Sequence, residues 1–179
     1  RKILDNNGLT DVYVVQTNGM LSDHYDPKRK VVRLSKDIFH GTSVAATAVA
    51  AHECGHAIQD KDNYTFMRIR GALVPVVNFV TYVGYFVLII SLFAGITGYL
   101  KISIGLIAAT LLFQLITLPV EFDASKRALS EINRLSLTSP SEKTLSEDVL
   151  KAAALTYVAS LISTILDLLR LIIMLNDRD

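Results

Sequence analysis

Residues 71–120, GALVPVVNFVTYVGYFVLIISLFAGITGYLKISIGLIAATLLFQLITLPV, carry one charge, Lys101. A helix needs about 20 apolar residues to cross a hydrocarbon core of about 30 Å, and Leu73 to Leu100 is long enough to do so. Pro75, Asn78 and the glycines are tolerated in such a span. Beyond Gly98 and Lys101, residues 102–120 form a second uncharged stretch of 19. The short connection makes the pair a transmembrane helical hairpin. Of the 35 charged residues, 18 precede position 71, 11 lie between 121 and 151, and five follow. An ordinary soluble domain has no core large enough to hide two such stretches. Arg68 and Arg70 precede the first span, and Lys126, Arg127 and Arg134 follow the second. By the positive-inside rule both outer ends face the cytosol.

Further along, residues 137–148 are rich in Ser, Thr, Glu and Pro and read as a surface loop entering a helix capped at Ser146. Ala152 to Leu175 is a C-terminal apolar helix interrupted by Asp167 and Arg170, which sit three apart on one face and can pair. It is a third span, or a helix packed on the hairpin or lying at the interface. Toward the N-terminus, a short helix covers Arg1 to Asn6 and Gly8 stops it. Short β-prone runs follow at Val12, Val14 and from Met20 to Tyr25, with turns at Asn18-Gly19 and Asp26-Pro27. Val31 to Leu34 reads as a last, edge strand of a small β-meander. An Ala-rich helix then runs from a Thr42 or Ser43 cap to about Gln59. The expectation is an α+β membrane protein, mostly helical, in four segments: 1–70, 71–120, 121–151 and 152–179.

Composition excludes other classes. Hydrophobic residues make up 51%, net charge is +1 and Cys54 is the only cysteine, which argues against disorder, a disulfide scaffold or a nucleic-acid-binding surface. No signal peptide is visible, and the missing initiator Met leads us to expect residues before Arg1.

The Ala-rich helix carries His52-Glu53-Cys54-Gly55-His56, an HExxH pattern. At about 100° per residue the two imidazoles lie about 40° apart and one turn along, so both can reach one zinc ion. Glu53 points to an adjacent side, where it can take a proton from water activated by the metal. With four His and five Glu in the chain, the pattern arises by accident in roughly one chain of several hundred. Cys54 faces away from the metal as a packed small thiol, and Gly55 permits close approach of another backbone.

Catalytic zinc takes three protein ligands and keeps one position open. Asp62 has the spacing of an HExxHxxGxxH/D pattern, but Gln59 stands where that pattern needs Gly for a sharp turn. His24 and His40 would have to be brought in by tertiary folding. Glu121 is the strongest candidate, as the first charge after 19 uncharged residues and close to Pro119.

The blocks LSDHYDPKRKVVRLS, VAAHECGHAIQD and LPVEFDASKRAL, in this order, resemble the bacterial membrane-bound neutral zinc metallopeptidases of the YugP-like family. The resemblance covers nearly the whole chain. It implies a zincin-like site of gluzincin type, with His52, His56 and Glu121 on one zinc and Glu53 as general base, and an apolar N-terminal span. Many gluzincins place a histidine-orienting Asp four positions after the Glu ligand. Ser125 stands there in this chain, and Asp123, about 200° from Glu121, does not replace it.

His24 and Tyr25 are candidates to donate to the tetrahedral oxyanion, and Ser125 and Arg127 to support the site from behind. Val31, Val32, Arg33 and Leu34 are candidates to bind substrate by strand addition. These readings converge on a zinc metalloendopeptidase acting on peptides or membrane proteins near the cytosolic bilayer surface. Its expected partners are the substrate, membrane lipid, and a second copy or a regulatory membrane protein. The competing reading is a non-enzymatic membrane adaptor or assembly factor with a structural zinc site.

Overall fold

The computed structural model describes residues 1–93 and 98–176. In order these form α1 (Lys2–Asn6), β1 (Tyr13–Thr17), β2 (His24–Asp26), β3 (Val31–Ser35), α2 (Lys36–Phe39) and α3 (Val44–Lys61). The long helices follow as α4 (Thr65–Phe93), α5 (Tyr99–Arg134) and α6 (Lys143–Asn176), the last preceded by a 3-10 turn at Pro140–Glu142. Two compact units result. The first comprises Arg1–Met67 and Val120–Leu155, the second Arg68–Pro119 and Thr156–Asp179.

Within the first unit the sheet has the order β1-β3-β2, with β3 parallel to β1 and antiparallel to β2. The expected meander and the edge position of Val31 to Leu34 are therefore corrected: β3 is the central strand. Asn18-Gly19 does turn, with Gly19 at φ +100°, but it does not pair the strands beside it. A parallel neighbour needs a crossover of about a dozen residues, and residues 18–30 provide it, β2 included. Asp26 Oδ1 then accepts from the backbone N–H groups of Lys28 and Arg29, which closes the β2–β3 hairpin.

Val32 and Leu34 are buried while Val31 and Arg33 are partly exposed, so one face of β3 lies in the core. Each buried aliphatic of this size contributes about 1.5–3 kcal/mol, and a one-residue slip would exchange Val32 and Leu34 for Val31 and Arg33. Those two side chains share a core with Leu4, Val12, Ala48, Ala51, Ala57, Ala128, Ile132 and Leu150. Because α3 presents Ala and Gly at its contacts, its backbone packs close to its neighbours.

The ends of α3 follow from local chemistry. Ser43 caps it by accepting the Ala46 N–H at 3.1 Å. At the other end Asn63 adopts φ +54°, and the Tyr64 N–H reaches the Gln59 carbonyl at 2.9 Å, a Schellman closure. The sequence suggests Ser146 as the cap of α6, and the structure corrects this. Ser139 forms a capping box with Glu142, so the helix starts earlier and Ser146 is buried inside it.

The second unit is apolar. Among the described residues three helices are long and apolar enough to cross a membrane: Thr65–Val87, Tyr99–Arg134 and Pro140–Asn176. Residues 94–97 of the expected first span, and 177–179 of the C-terminal segment, lie outside the described residues. Gln114 Nε2 donates to Ser160 Oγ at 3.1 Å, linking α5 to α6. Asp167 and Arg170 both line a cavity of about 450 Å³ with Tyr85, Tyr99 and Ser103.

Candidate metal centre

The donors come from α3 and α5. Glu121 Oε2 lies 3.2 Å from His52 Nε2 and 3.6 Å from His56 Nε2. One donor atom of each residue lies within 4.8 Å of the others. The two rings meet edge to face, with centroids 4.8 Å apart and planes at 84°. A tetrahedral zinc with bonds of about 2.0–2.1 Å keeps its donors roughly 3.3 Å apart, so two imidazoles and a carboxylate at these separations suit that ion. They also leave one of four positions for water. Glu121 is 2% exposed and His56 is 7% exposed, and a cation would offset the cost of burying so much polarity.

Glu53 is buried on the same helix. Burial pushes its pKa up, and the charges of His56 and His52 pull against that rise without cancelling it. Burial alone would lower the His56 pKa, yet hydrogen bonding to Glu121 and the charges of Glu53 and Glu121 raise it. Cys54 on the opposite side of α3 is a packed thiol, pushed up to about 11 by burial.

The far nitrogens of both rings are also held. His52 Nδ1 lies 3.2 Å from Ser125 Oγ, and His56 Nδ1 lies 2.9 Å from Gln59 Oε1. Such contacts orient a ligating ring and raise its basicity. Ser125 thus stands behind His52. Gln59 escaped the sequence reading, which saw there only a missing Gly. Its one sequence signal is the spacing of three from His56 along a helix, which puts the two side chains on one face.

Other candidates are engaged elsewhere. Asp62 ends α3 and is held by Arg127, whose Nε also donates to Asp123 at 2.6 Å. Arg127 is therefore a helix-surface ion pair with two carboxylates. Tyr25 donates its hydroxyl to Asp60 at 2.8 Å, and His24 Nδ1 lies 2.7 Å from the Ser22 carbonyl. His40 Nε2 lies 2.8 Å from Gln16 Oε1. None of these bonds involves the three donors. Val31 to Ser35 are paired along β1, and Val31 to Arg33 also along β2, so β3 has no free edge there for a substrate strand.

Comparison with known proteins gives a consistent result. The family described as "Putative neutral zinc metallopeptidase" matches residues 1–176. A protein of Bacillus subtilis (strain 168), named "Putative membrane protease YugP", is 44% identical over 180 residues, covering 100% of this chain and 80% of that protein. No solved structure matches the chain. With the match extending over both compact units and the donor set of His52, His56 and Glu121, this chain belongs to the neutral zinc metallopeptidase family.

Proposed function

We propose that the protein is a membrane-bound zinc endopeptidase in which His52, His56 and Glu121 hold the metal and Glu53 is the general base. The observation that carries this reading is the convergence of those three donors beside a buried Glu53 on one HExxH helix. Zinc held there supplies Lewis acidity for the scissile carbonyl and lowers the pKa of the attacking water. Glu53 removes the proton from that water and delivers it to the departing amine. Its place on α3, one residue after His52 and three before His56, keeps the carboxyl beside the water it deprotonates.

The test joins metal content to cleavage. Wild-type protein is expected to carry one zinc and to hydrolyse a peptide. Glu121→Ala should lose both properties, because two imidazoles alone bind weakly. Asp62→Ala should keep both, since that carboxylate serves Arg127. Zinc retained by Glu121→Ala and lost from Asp62→Ala would overturn the ligand set.

Substrates are proposed to be peptides or membrane proteins met at the bilayer surface. Glu121 directly follows the uncharged stretch 102–120, which favours a substrate lying extended beside the membrane. With β3 enclosed, main-chain pairing to a substrate falls to the outer edge of β1 or β2. The basic residues at 68, 70, 126, 127 and 134 support a cytosolic site. With Cys54 replaced, a membrane-impermeant thiol reagent on intact cells is expected to label a cysteine introduced at Gly98 and to spare one at Lys61. The opposite pattern defeats this orientation.

A further inference from the structure

Gln59 is fully buried, and its side-chain amide is bonded on both ends. Its Oε1 lies 2.9 Å from His56 Nδ1. Its Nε2 donates at 2.8 Å to the Val120 carbonyl and at 2.8 Å to Asp123 Oδ2. We propose that Gln59 is the positioning residue that fixes His56 in the Nδ1–H tautomer and ties that histidine to the turn of α5 bearing Glu121.

The argument rests on donor and acceptor capacity. A primary amide has two N–H donors on nitrogen and lone pairs on oxygen. Both partners on the Nε2 side, a peptide carbonyl and a carboxylate, can only accept. Turning the amide over would place its oxygen 2.8 Å from each of these two oxygens, in a buried site where such repulsion is unscreened. Asp123 is kept an acceptor by Arg127, whose Nε donates to the same Oδ2 at 2.6 Å. The amide therefore has one orientation, with its oxygen facing His56.

An oxygen that can only accept requires a proton on His56 Nδ1. The other ring nitrogen, Nε2, then carries the lone pair and is the atom 3.6 Å from Glu121 Oε2. A neutral imidazole protonated on Nε2 could not ligate from that position. The bond to Val120 adds registry, since that carbonyl belongs to the residue immediately before Glu121. One side chain thus sets both the proton position on one ligand and the helical turn carrying another.

This inference rests on the ligand set proposed above, and the experiment separates the two. This chain in detergent, labelled with ¹⁵N-histidine, gives a sparse spectrum, because it has four histidines. In metal-free wild type, at a pH where the ring is neutral, His56 is expected to carry its proton on Nδ1. Gln59→Leu should populate the Nε2–H form. Zinc affinity measured by chelator competition should fall about 10- to 100-fold in that variant, the range found when a ligand's hydrogen-bond partner is removed. Gln59→Met, unbranched and more adaptable in the same space, should behave alike and serves if the Leu variant does not fold.

A wild-type His56 protonated on Nε2 overturns the proposal, whether or not either variant folds. So does a folded variant with wild-type zinc affinity. A protein that binds zinc, shows the Nδ1–H form and cleaves nothing would sink the peptidase reading while leaving the role of Gln59 standing.

Discussion

Glu53→Gln is expected to slow peptide hydrolysis by about 10²–10⁴-fold, the range lost when a positioned general base is removed. Zinc content should not change. The substituted amide has nearly the same shape as the carboxyl, so α3 keeps its packing and the donors on either side keep their spacing. What it lacks is a group that accepts a proton from water at neutral pH. Its stability should not suffer either. A carboxyl whose pKa is raised on folding opposes the folded state at pH values above its unfolded pKa, so replacing it by a neutral amide removes that penalty. The metal-free variant is thus expected to melt no lower than the wild type. Initial rates on one peptide, zinc analysis and a thermal melt measure all three quantities. Undiminished cleavage would remove Glu53 from the mechanism. A zinc-loaded wild type that cleaves no peptide would instead favour an adaptor with a structural metal site.

The donor set and the membrane-length helices are legible in the sequence because their signals are local. HExxH needs only helical periodicity to place two imidazoles together, and an uncharged stretch of 19 residues needs only a length. Glu121 could be chosen over Asp62 from its place at the end of such a stretch and from the resemblance of the surrounding block. Gly55 could be read as a point of close approach because it is the smallest residue in the motif.

What failed was non-local. Asn18-Gly19 is a strong hairpin signal, yet β1 pairs with β3, and only the crossover through residues 18–30 makes that pairing parallel. The β-branched run Val31 to Leu34 is a strand as expected, but such a run carries no information on how many neighbours a strand has. Ser146 resembles a cap in isolation, whereas Ser139 and Glu142 together satisfy the helix start about two turns earlier. Gln59 shows the same limit most sharply. Its partners Val120 and Asp123 lie 61 and 64 residues away, so no window of sequence contains the reason for a buried amide.

Gly55→Ala is expected to damage the metal site without touching a ligand. A Cβ at this position would sit 2.5 Å from the Ala124 carbonyl oxygen, 3.2 Å from its carbon and 3.3 Å from Ala124 Cα. All three atoms are backbone, so no side-chain rotation relieves the clash. Restoring ordinary contact requires α3 and the 120–134 part of α5 to separate by roughly 1 Å. Ala124 lies one helical turn after Glu121, so the separation that accommodates the methyl also draws Glu121 from His52 and His56. A metal site tolerates distance errors of about 0.2 Å, well below that displacement. Two effects on stability compete. Alanine in a helix interior is favoured over glycine by about 0.8–1.0 kcal/mol, whereas overpacking a tight contact costs about 1–3 kcal/mol. The second should win, giving a modestly destabilised protein with a large loss of zinc affinity. Gly71→Ala, where an added Cβ meets nothing within 4 Å, provides the comparison: it gains the helix preference and should bind zinc as the wild type does. Chelator competition and thermal melts on the three proteins decide the matter. A Gly55→Ala protein that binds zinc as tightly as Gly71→Ala would mean that the α3–α5 approach does not set the spacing of the donors.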